Sequence, residues 1–89
     1  MAFDPKNLSA LSYANGFTLW HYKTADAAAV IDTTGYFNQA ANMMRVGDFV
    51  FANASTTGTP ESGVLIVKSN TGGVVDVSNI SSFGLINSD

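Results

Sequence analysis

The chain has 89 residues, a mass of 9.3 kDa and a formal net charge of -3, which predicts a single domain of residues 1–89. It contains no cysteine, so thiolate catalysis and cysteine-ligated zinc are excluded. Its 4 Lys and Arg residues are spread along the sequence, and no apolar run approaches the roughly eighteen residues that span a bilayer. We therefore expect neither nucleic-acid nor membrane binding.

Charged residues make up only 12% of the chain, against about 25% in an average soluble domain. The surface must be largely neutral, and neutral groups cost less to desolvate than ions. This composition fits a subunit that neighbouring subunits cover, or a protein adapted to an extracellular setting. The start MAFDPKNLSA lacks the basic and apolar stretches of a signal peptide, so synthesis in a cytoplasm is expected.

Residues 1–16 are predicted to be an N-terminal arm or a short helix. Asp4-Pro5 is a helix-start signal, but the segment is short and weakly periodic, so an extended arm fits equally. Asn15-Gly16 then marks a turn.

The run Phe17–Lys23 (FTLWHYK) predicts a strand because aromatic and β-branched residues dominate it. Side chains alternate between the two faces of a strand. One face then carries Phe17, Leu19 and His21, and the other carries Thr18, Trp20 and Tyr22. Because both faces are apolar or aromatic, both are expected to contact protein.

A second strand is predicted over Ala28–Asp32, followed by a helix that Gly47 ends. The helix is indicated by one apolar stripe at spacings of three, four and seven, formed by Tyr36, Phe37, Ala40, Met43 and Met44. Arg45 would lie in the last turn of this helix, where a cation suits the helix dipole.

The second half of the chain predicts strands in DFVFANA, in Val64–Ser69 and in Val74–Ser78, the last two joined by an NTGG turn. A short edge strand is expected around Phe83–Ile86. The predicted fold is mainly β: a small antiparallel β-barrel or sandwich with one short helix between strands two and three. Residues 17–80 form its barrel-like core, and residues 81–89 form a C-terminal tail.

Little in the sequence indicates catalysis. His21 is the only histidine, no carboxylate lies at a suggestive spacing from it, and the 7 acidic residues are scattered. No nucleophile elbow, phosphate loop or calcium loop is present. We therefore expect no enzymatic activity, no metal and no cofactor.

The aromatic side chains allow three roles. They could form the core, anchor an oligomer interface, or build a flat platform on which a sugar stacks. The sequence leaves these alternatives open for Trp20, Tyr22, Tyr36 and Phe37.

Two stretches resemble short proteins encoded among the structural genes of tailed phages and prophages: SYANGFTLWHYKTADAAAVIDTTGYFNQAANMMRVGDFVFANA and GVLIVKSNTGGVVDVSNI. The shared pattern is an aromatic strand, a GYFN helix, a GD turn and a strand pair that ends in GGVVDV. The resemblance extends from Leu8 to Ile80. The positions that match are structural, namely Trp20, Tyr22, Tyr36, Phe37, Gly47, Gly72 and Gly73.

The resemblance implies a virion protein of the head-decoration, or capsid cement, class, whose members are commonly small, β-rich and trimeric. It implies synthesis in the host bacterial cytoplasm, location on the capsid surface, and two partners: the major capsid protein and further copies in a homotrimer. Many cement proteins use a proline-rich arm, whereas Pro5 is the only early proline here. Capsid binding through Ala2–Tyr13 is a hypothesis that rests on position. The predicted interface residues are Phe3, Leu8, Leu11, Tyr13, Trp20, Tyr22 and Phe83.

The alternative within the virion is a fibre, collar or tail-associated module that binds host-surface glycan. It would use exposed aromatic rings, whereas a decoration protein would bury neutral surface against the shell. Copy number in the particle distinguishes the two.

Overall fold

A computed structural model describes residues 3–84. These residues form a mainly β domain whose one sheet has the strand order β1-β2-β3-β4-β5, with β6 paired to β4. The mainly β class predicted from the sequence is confirmed. The strands are β1 (Leu8–Ala14), β2 (Phe17–Lys23), β3 (Phe49–Ala54), β4 (Glu61–Thr71), β5 (Val74–Val77) and β6 (Ser81–Ser82).

Strands β2 and β3 are parallel, whereas the other pairs are antiparallel. Both tight hairpins turn on residues in the left-handed region. Asn15 and Gly16 have φ of 54° and 82°, and Gly72 and Gly73 have 62° and 82°. Paired positive φ values match the right-handed twist of the flanking strands, which is why Asn-Gly and Gly-Gly suit these positions.

The prediction of a closed barrel or a sandwich is wrong, because the sheet is open and single. Its end strands β1 and β5 do not pair with each other. The outer edge of β5 is already occupied: the Val75 carbonyl accepts the Gly35 N–H at 2.9 Å, and the Val75 N–H donates to Oδ1 of Asn38 at 2.8 Å. The segment between β2 and β3 thus satisfies the edge to which a closing strand would bind.

The two elements predicted between β2 and β3 are also wrong. Ala28–Ile31 is a one-turn helix, α1, and not a strand; Oε1 of Glu61 accepts the Ala28 N–H at 2.9 Å. The short helix predicted before Gly47 is a series of turns with a 3-10 turn at Asn38–Ala40. Asn70 explains part of this, because its Nδ2 donates to the carbonyls of Ala41 and Met44 at 2.6 and 2.8 Å.

The core lies between one face of the sheet and the segment from Thr24 to Asp48. The apolar stripe predicted from spacing does point inwards in part: Phe37, Ala40 and Met44 are buried, although Met43 is exposed. Strands β2 to β5 contribute nine buried apolar side chains, Trp20, Tyr22, Val50, Ala52, Ala54, Leu65, Val67, Val75 and Val77, and the N-terminal segment and α1 add Phe3, Ala28 and Ile31.

The ends of the described chain pack against this framework. A 3-10 turn at Pro5–Asn7 leads into β1, the segment that the sequence left as an arm or short helix. The predicted edge strand lies earlier than expected, as β6, and Phe83 donates its N–H to the Ser62 carbonyl at 2.8 Å. Leu85 and Ile86 lie outside the described residues. No helix within residues 3–84 is long and apolar enough to cross a bilayer.

Candidate docking surface

The second face of the sheet, turned away from the core, is also apolar. Across the paired strands, Leu19 lies beside Phe49 and Phe49 beside Ile66, while Phe51 lies beside Val64. We call this surface the open face and define it by seven residues: Phe17, Leu19, Phe49, Phe51, Val64, Ile66 and Phe83. The ring of Phe83 joins it by stacking on Phe51, with centroids 6.5 Å apart.

Four of these side chains are strongly exposed: Phe17 at 53%, Phe83 at 50%, Phe49 at 42% and Ile66 at 41%. Since a whole aromatic side chain has about 150–250 Å², the three phenylalanines alone leave on the order of 300 Å² in water. With the half-buried neighbours added, the patch is comparable to the largest on a typical monomer, roughly 300–600 Å². Patches of that size commonly mark interaction sites.

The alternation of the strands makes this exposure notable. A strand with one face in water normally alternates apolar and polar side chains. Because one face of β2 is buried, polar side chains would be expected on its other face. Here polar groups lie towards the end of the face where β2 and β3 finish. His21 Nε2 and Asn53 Nδ2 are 2.8 Å apart, and Ser62 donates its hydroxyl to Asn53 Oδ1 at 3.0 Å.

A pocket of about 360 Å³ lies at the opposite end of the open face, where β2 and β3 begin. Its lining is Phe17, Thr18, Leu19, Gly47 and Phe49. Gly47 has φ +97°, and a Cβ placed there would lie 2.7 Å from Cε1 of Phe17. The position therefore requires glycine twice, for its backbone conformation and for the ring that packs against it.

Asp48, the residue after Gly47, holds the base of this pocket in place. It is fully buried, and its Oδ1 accepts the backbone N–H of Thr18 at 3.0 Å. Its Oδ2 accepts the indole N–H of Trp20 at 3.1 Å and the backbone N–H of Arg45 at 3.0 Å. One carboxylate thus joins β2 to the turn before β3 through three charge-assisted hydrogen bonds.

A second polar network lies on the core side of the sheet. Tyr36 donates its hydroxyl to Oδ2 of Asp26 at 2.7 Å. Because a phenol has one proton, Tyr22 must be the donor in its 2.9 Å bond to Tyr36, and the Asp4 N–H donates to Tyr22 at 3.0 Å. Burial, followed by the hydrogen bonds with Tyr22 and Asp26, raises the pKa of Tyr36 well above its usual value.

The structure separates the predicted interface residues into two groups. Phe3, Trp20 and Tyr22 are buried in the chain's own core, and Leu8 packs against that core. The side chains of Phe3, Trp20 and Tyr22 thus contribute to the chain's own core, and Leu8 is partly buried against it. Leu11 and Tyr13 are exposed on β1, at 58% and 62%, and Phe83 is exposed on the open face.

The exposed residues at the pocket were not among the predicted interface residues. The alternation in FTLWHYK had already placed Phe17 and Leu19 on the face opposite Trp20. Phe49 belongs to β3, whose pairing with β2 and with the strand of Ile66 was not assigned from sequence. The register between β2, β3 and β4 brings these side chains into one patch.

No known family, curated protein or solved structure matches this chain. Among the described residues, no three His, Asp or Glu side chains lie together as a metal site requires. Of the four rings considered for a sugar platform, Trp20, Tyr22 and Phe37 are buried, and Tyr36 is partly buried. A glycan would have to use other rings, such as those of the open face.

Proposed function

We propose that the protein is a structural subunit of a phage particle that docks on the outer surface of the head shell and stabilises the shell lattice. The open face is the observation that carries this proposal. It offers a broad, rigid and nearly uncharged apolar surface, which suits lasting attachment to another protein. Its partner would be the major capsid protein.

The sequence motifs support the same function. The pattern of aromatic strand, GYFN segment, GD turn and GGVVDV strand resembles small structural proteins of tailed phages. In this structure the GD turn is the Gly47-Asp48 unit at the pocket, so one of the motifs that carry the resemblance lies at the candidate docking surface. Symmetric self-association, for which a trimer is proposed, would multiply weak contacts with the shell.

The experiment that tests this function is the copy number of the chain in purified particles from its source, measured by quantitative mass spectrometry. A lattice protein is expected in hundreds of copies per particle. A few to a few dozen copies would place it on a fibre, collar or tail instead. Its absence from the particle would overturn the proposal.

A further inference from the structure

We propose that the pocket lined by Phe17, Leu19, Gly47 and Phe49 receives one bulky apolar side chain of the shell protein, from a segment that also presents carboxylates to Arg45. This inference rests on the proposed function and specifies its contact. The occupant is thus defined by its chemistry: an apolar anchor with acidic neighbours on the shell surface.

The apolar half of the inference follows from the construction of the pocket. Its two aromatic walls stand on neighbouring parallel strands, and glycine forms part of its base. The hydrogen bonds of Asp48 to Thr18, Trp20 and Arg45 fix the backbone around it before any partner arrives. A preformed apolar pocket loses little conformational entropy on binding, and such pockets at interface centres commonly receive the residues that dominate affinity.

The second part of the inference, that Arg45 contacts carboxylates of the partner, follows from how the charged groups of the chain are paired. Each of the six described carboxylates accepts a bond from within the chain. Asp26 and Asp48 are buried, and Glu61 caps α1. The complete set of acceptors and partners is Asp4 to Lys6 N–H, Asp26 to Tyr36, Asp32 to Ile80 N–H, Asp48 to three N–H groups, Glu61 to Ala28 N–H, and Asp76 to Thr34 and Lys68.

The basic residues are used differently. Within residues 3–84 the one ion pair joins Lys68 to Asp76 at 3.6 Å, so Lys6, Lys23 and Arg45 have no carboxylate partner there. A carboxylate that accepts a neutral N–H keeps its negative charge, and the chain stays acidic overall, with a net charge of -3. The cations without a carboxylate partner are the groups that a partner's carboxylates can neutralise. Arg45 is exposed and lies two residues before the pocket residue Gly47, so it is the cation placed to contact a segment seated there.

A second copy of the chain fits this surface less well. Two open faces placed together would bring Arg45 towards the seven residues that define the open face, none of which is a carboxylate. The three exposed rings supply on the order of 300 Å², well below the roughly 800 Å² per partner of a standard stable interface. A shell surface with its own carboxylates supplies what the second copy lacks, and a lattice repeats the contact many times.

The apolar anchor is tested by co-sedimentation of the purified protein with capsids of the source phage that were assembled without it. Phe49→Ser removes one pocket wall and is expected to weaken binding about tenfold or more. Val74→Ser is the matched control, since it removes an apolar side chain that is 45% exposed on β5 and does not line the pocket, and it is expected to change affinity less than about twofold. Urea unfolding verifies that both variants fold, and Phe17→Ser, in the opposite wall, repeats the test.

The charged contact is tested with Arg45→Glu against Lys23→Glu, which change net charge equally. Lys23 ends β2 and is six strand residues, roughly 20 Å, from Phe17. Arg45→Glu is expected to weaken capsid binding several-fold at low salt and by less at high salt. Lys23→Glu is expected to bind as the wild type does.

The outcomes separate the two proposals. If wild-type protein does not bind the capsids, docking on the shell fails. If the wild type binds, and the pocket and Arg45 variants bind equally well, docking stands and the anchor is overturned. If the free protein is an oligomer that Phe49→Ser dissociates, a second copy occupies the pocket and the anchor is likewise overturned.

Discussion

The indole N–H of Trp20 donates to Oδ2 of Asp48 at 3.1 Å, which ties the centre of β2 to the residue that precedes β3. The other carboxylate oxygen of Asp48 accepts the Thr18 N–H. Strands β2 and β3 are parallel neighbours that are distant in sequence, so no tight turn sets their register. Asp48 performs this task, because its side chain bonds to β2 and its backbone immediately precedes β3.

Asp48→Ala is expected to be severely destabilising. It leaves the N–H groups of Thr18, Trp20 and Arg45 without their acceptor, and each buried unsatisfied donor costs about 1–3 kcal/mol. A loss of about 3–5 kcal/mol is large against the roughly 5–9 kcal/mol expected for a domain of this size. Urea unfolding followed by circular dichroism measures it.

The control is Asp32→Ala. Asp32 is half-buried and its carboxylate accepts one N–H, from Ile80 at 3.3 Å. Its loss should cost about 1 kcal/mol or less. Similar losses for the two variants would contradict the role assigned to Asp48.

The stability of the protein should fall at alkaline pH because of Tyr36. Its pKa in the folded state is raised above that of the unfolded chain, which is about 10. The stabilisation is therefore complete below pH 10 and is lost as pH rises towards the folded pKa. Tyr36→Phe lowers the free energy of unfolding at neutral pH but removes this pH dependence. The difference in the free energy of unfolding between wild type and variant should therefore narrow above pH 10.

Urea midpoints measured from pH 7 to 11 check this expectation. Tyr13→Phe, which removes an exposed phenol on β1, is the control for the loss of one tyrosine hydroxyl. If the difference in the free energy of unfolding between wild type and Tyr36→Phe stays constant with pH, or widens, the raised pKa of Tyr36 is contradicted.

The strands could be predicted from sequence where local patterns decide them. The strand predicted over Phe17–Lys23 matches β2, and the β4–β5 hairpin follows from two apolar runs joined by a turn at Gly72-Gly73. The strand predicted over Ala28–Asp32 failed because Val30-Ile31 favours a strand locally, whereas Glu61, 33 residues away from Ala28, caps a helical turn there. Tertiary contacts of that kind leave no local signal.

The same limit applies to the candidate site. Alternation placed Phe17 and Leu19 on one face of β2. Both faces of β2 were expected to contact protein, and within the described residues this is met for the face that carries Trp20. The pocket depends on the parallel pairing of β2 with β3, a non-local contact. The sequence also could not show that Asn38 and Asn70 would bond to the sheet and the turns, and thereby replace the predicted helix.

Phe3→Ala tests whether the N-terminal residues belong to the core or to a docking arm. Phe3 is buried, stacks on Tyr22 with centroids 5.2 Å apart and meets Phe37 edge-on at 5.4 Å. The substitution should cost about 3–5 kcal/mol, as for other buried phenylalanines. Tyr13→Ala, at an exposed position, should cost less than about 1 kcal/mol.

Point substitutions are used because deletion of the whole arm would remove Phe3 and β1 together and unfold the sheet edge. Capsid binding of the folded Tyr13→Ala variant then tests the arm hypothesis directly. A stable Phe3→Ala variant that fails to bind capsids would return Phe3 to the interface.

Gly47→Ala distinguishes strain from contact at the pocket. Gly47 and Gly73 both have positive φ, at 97° and 82°, so alanine at either position should cost roughly 1–2 kcal/mol through backbone strain. A Cβ at Gly73 meets nothing within 4 Å, whereas one at Gly47 meets the Phe17 ring. Gly47→Ala must therefore also displace that ring, and it should lose more stability than Gly73→Ala in urea unfolding. Because the displaced ring is a wall of the pocket, Gly47→Ala should also weaken capsid binding, whereas Gly73→Ala should leave it unchanged. If the two substitutions have equal effects on stability and on capsid binding, the ring contact contributes nothing.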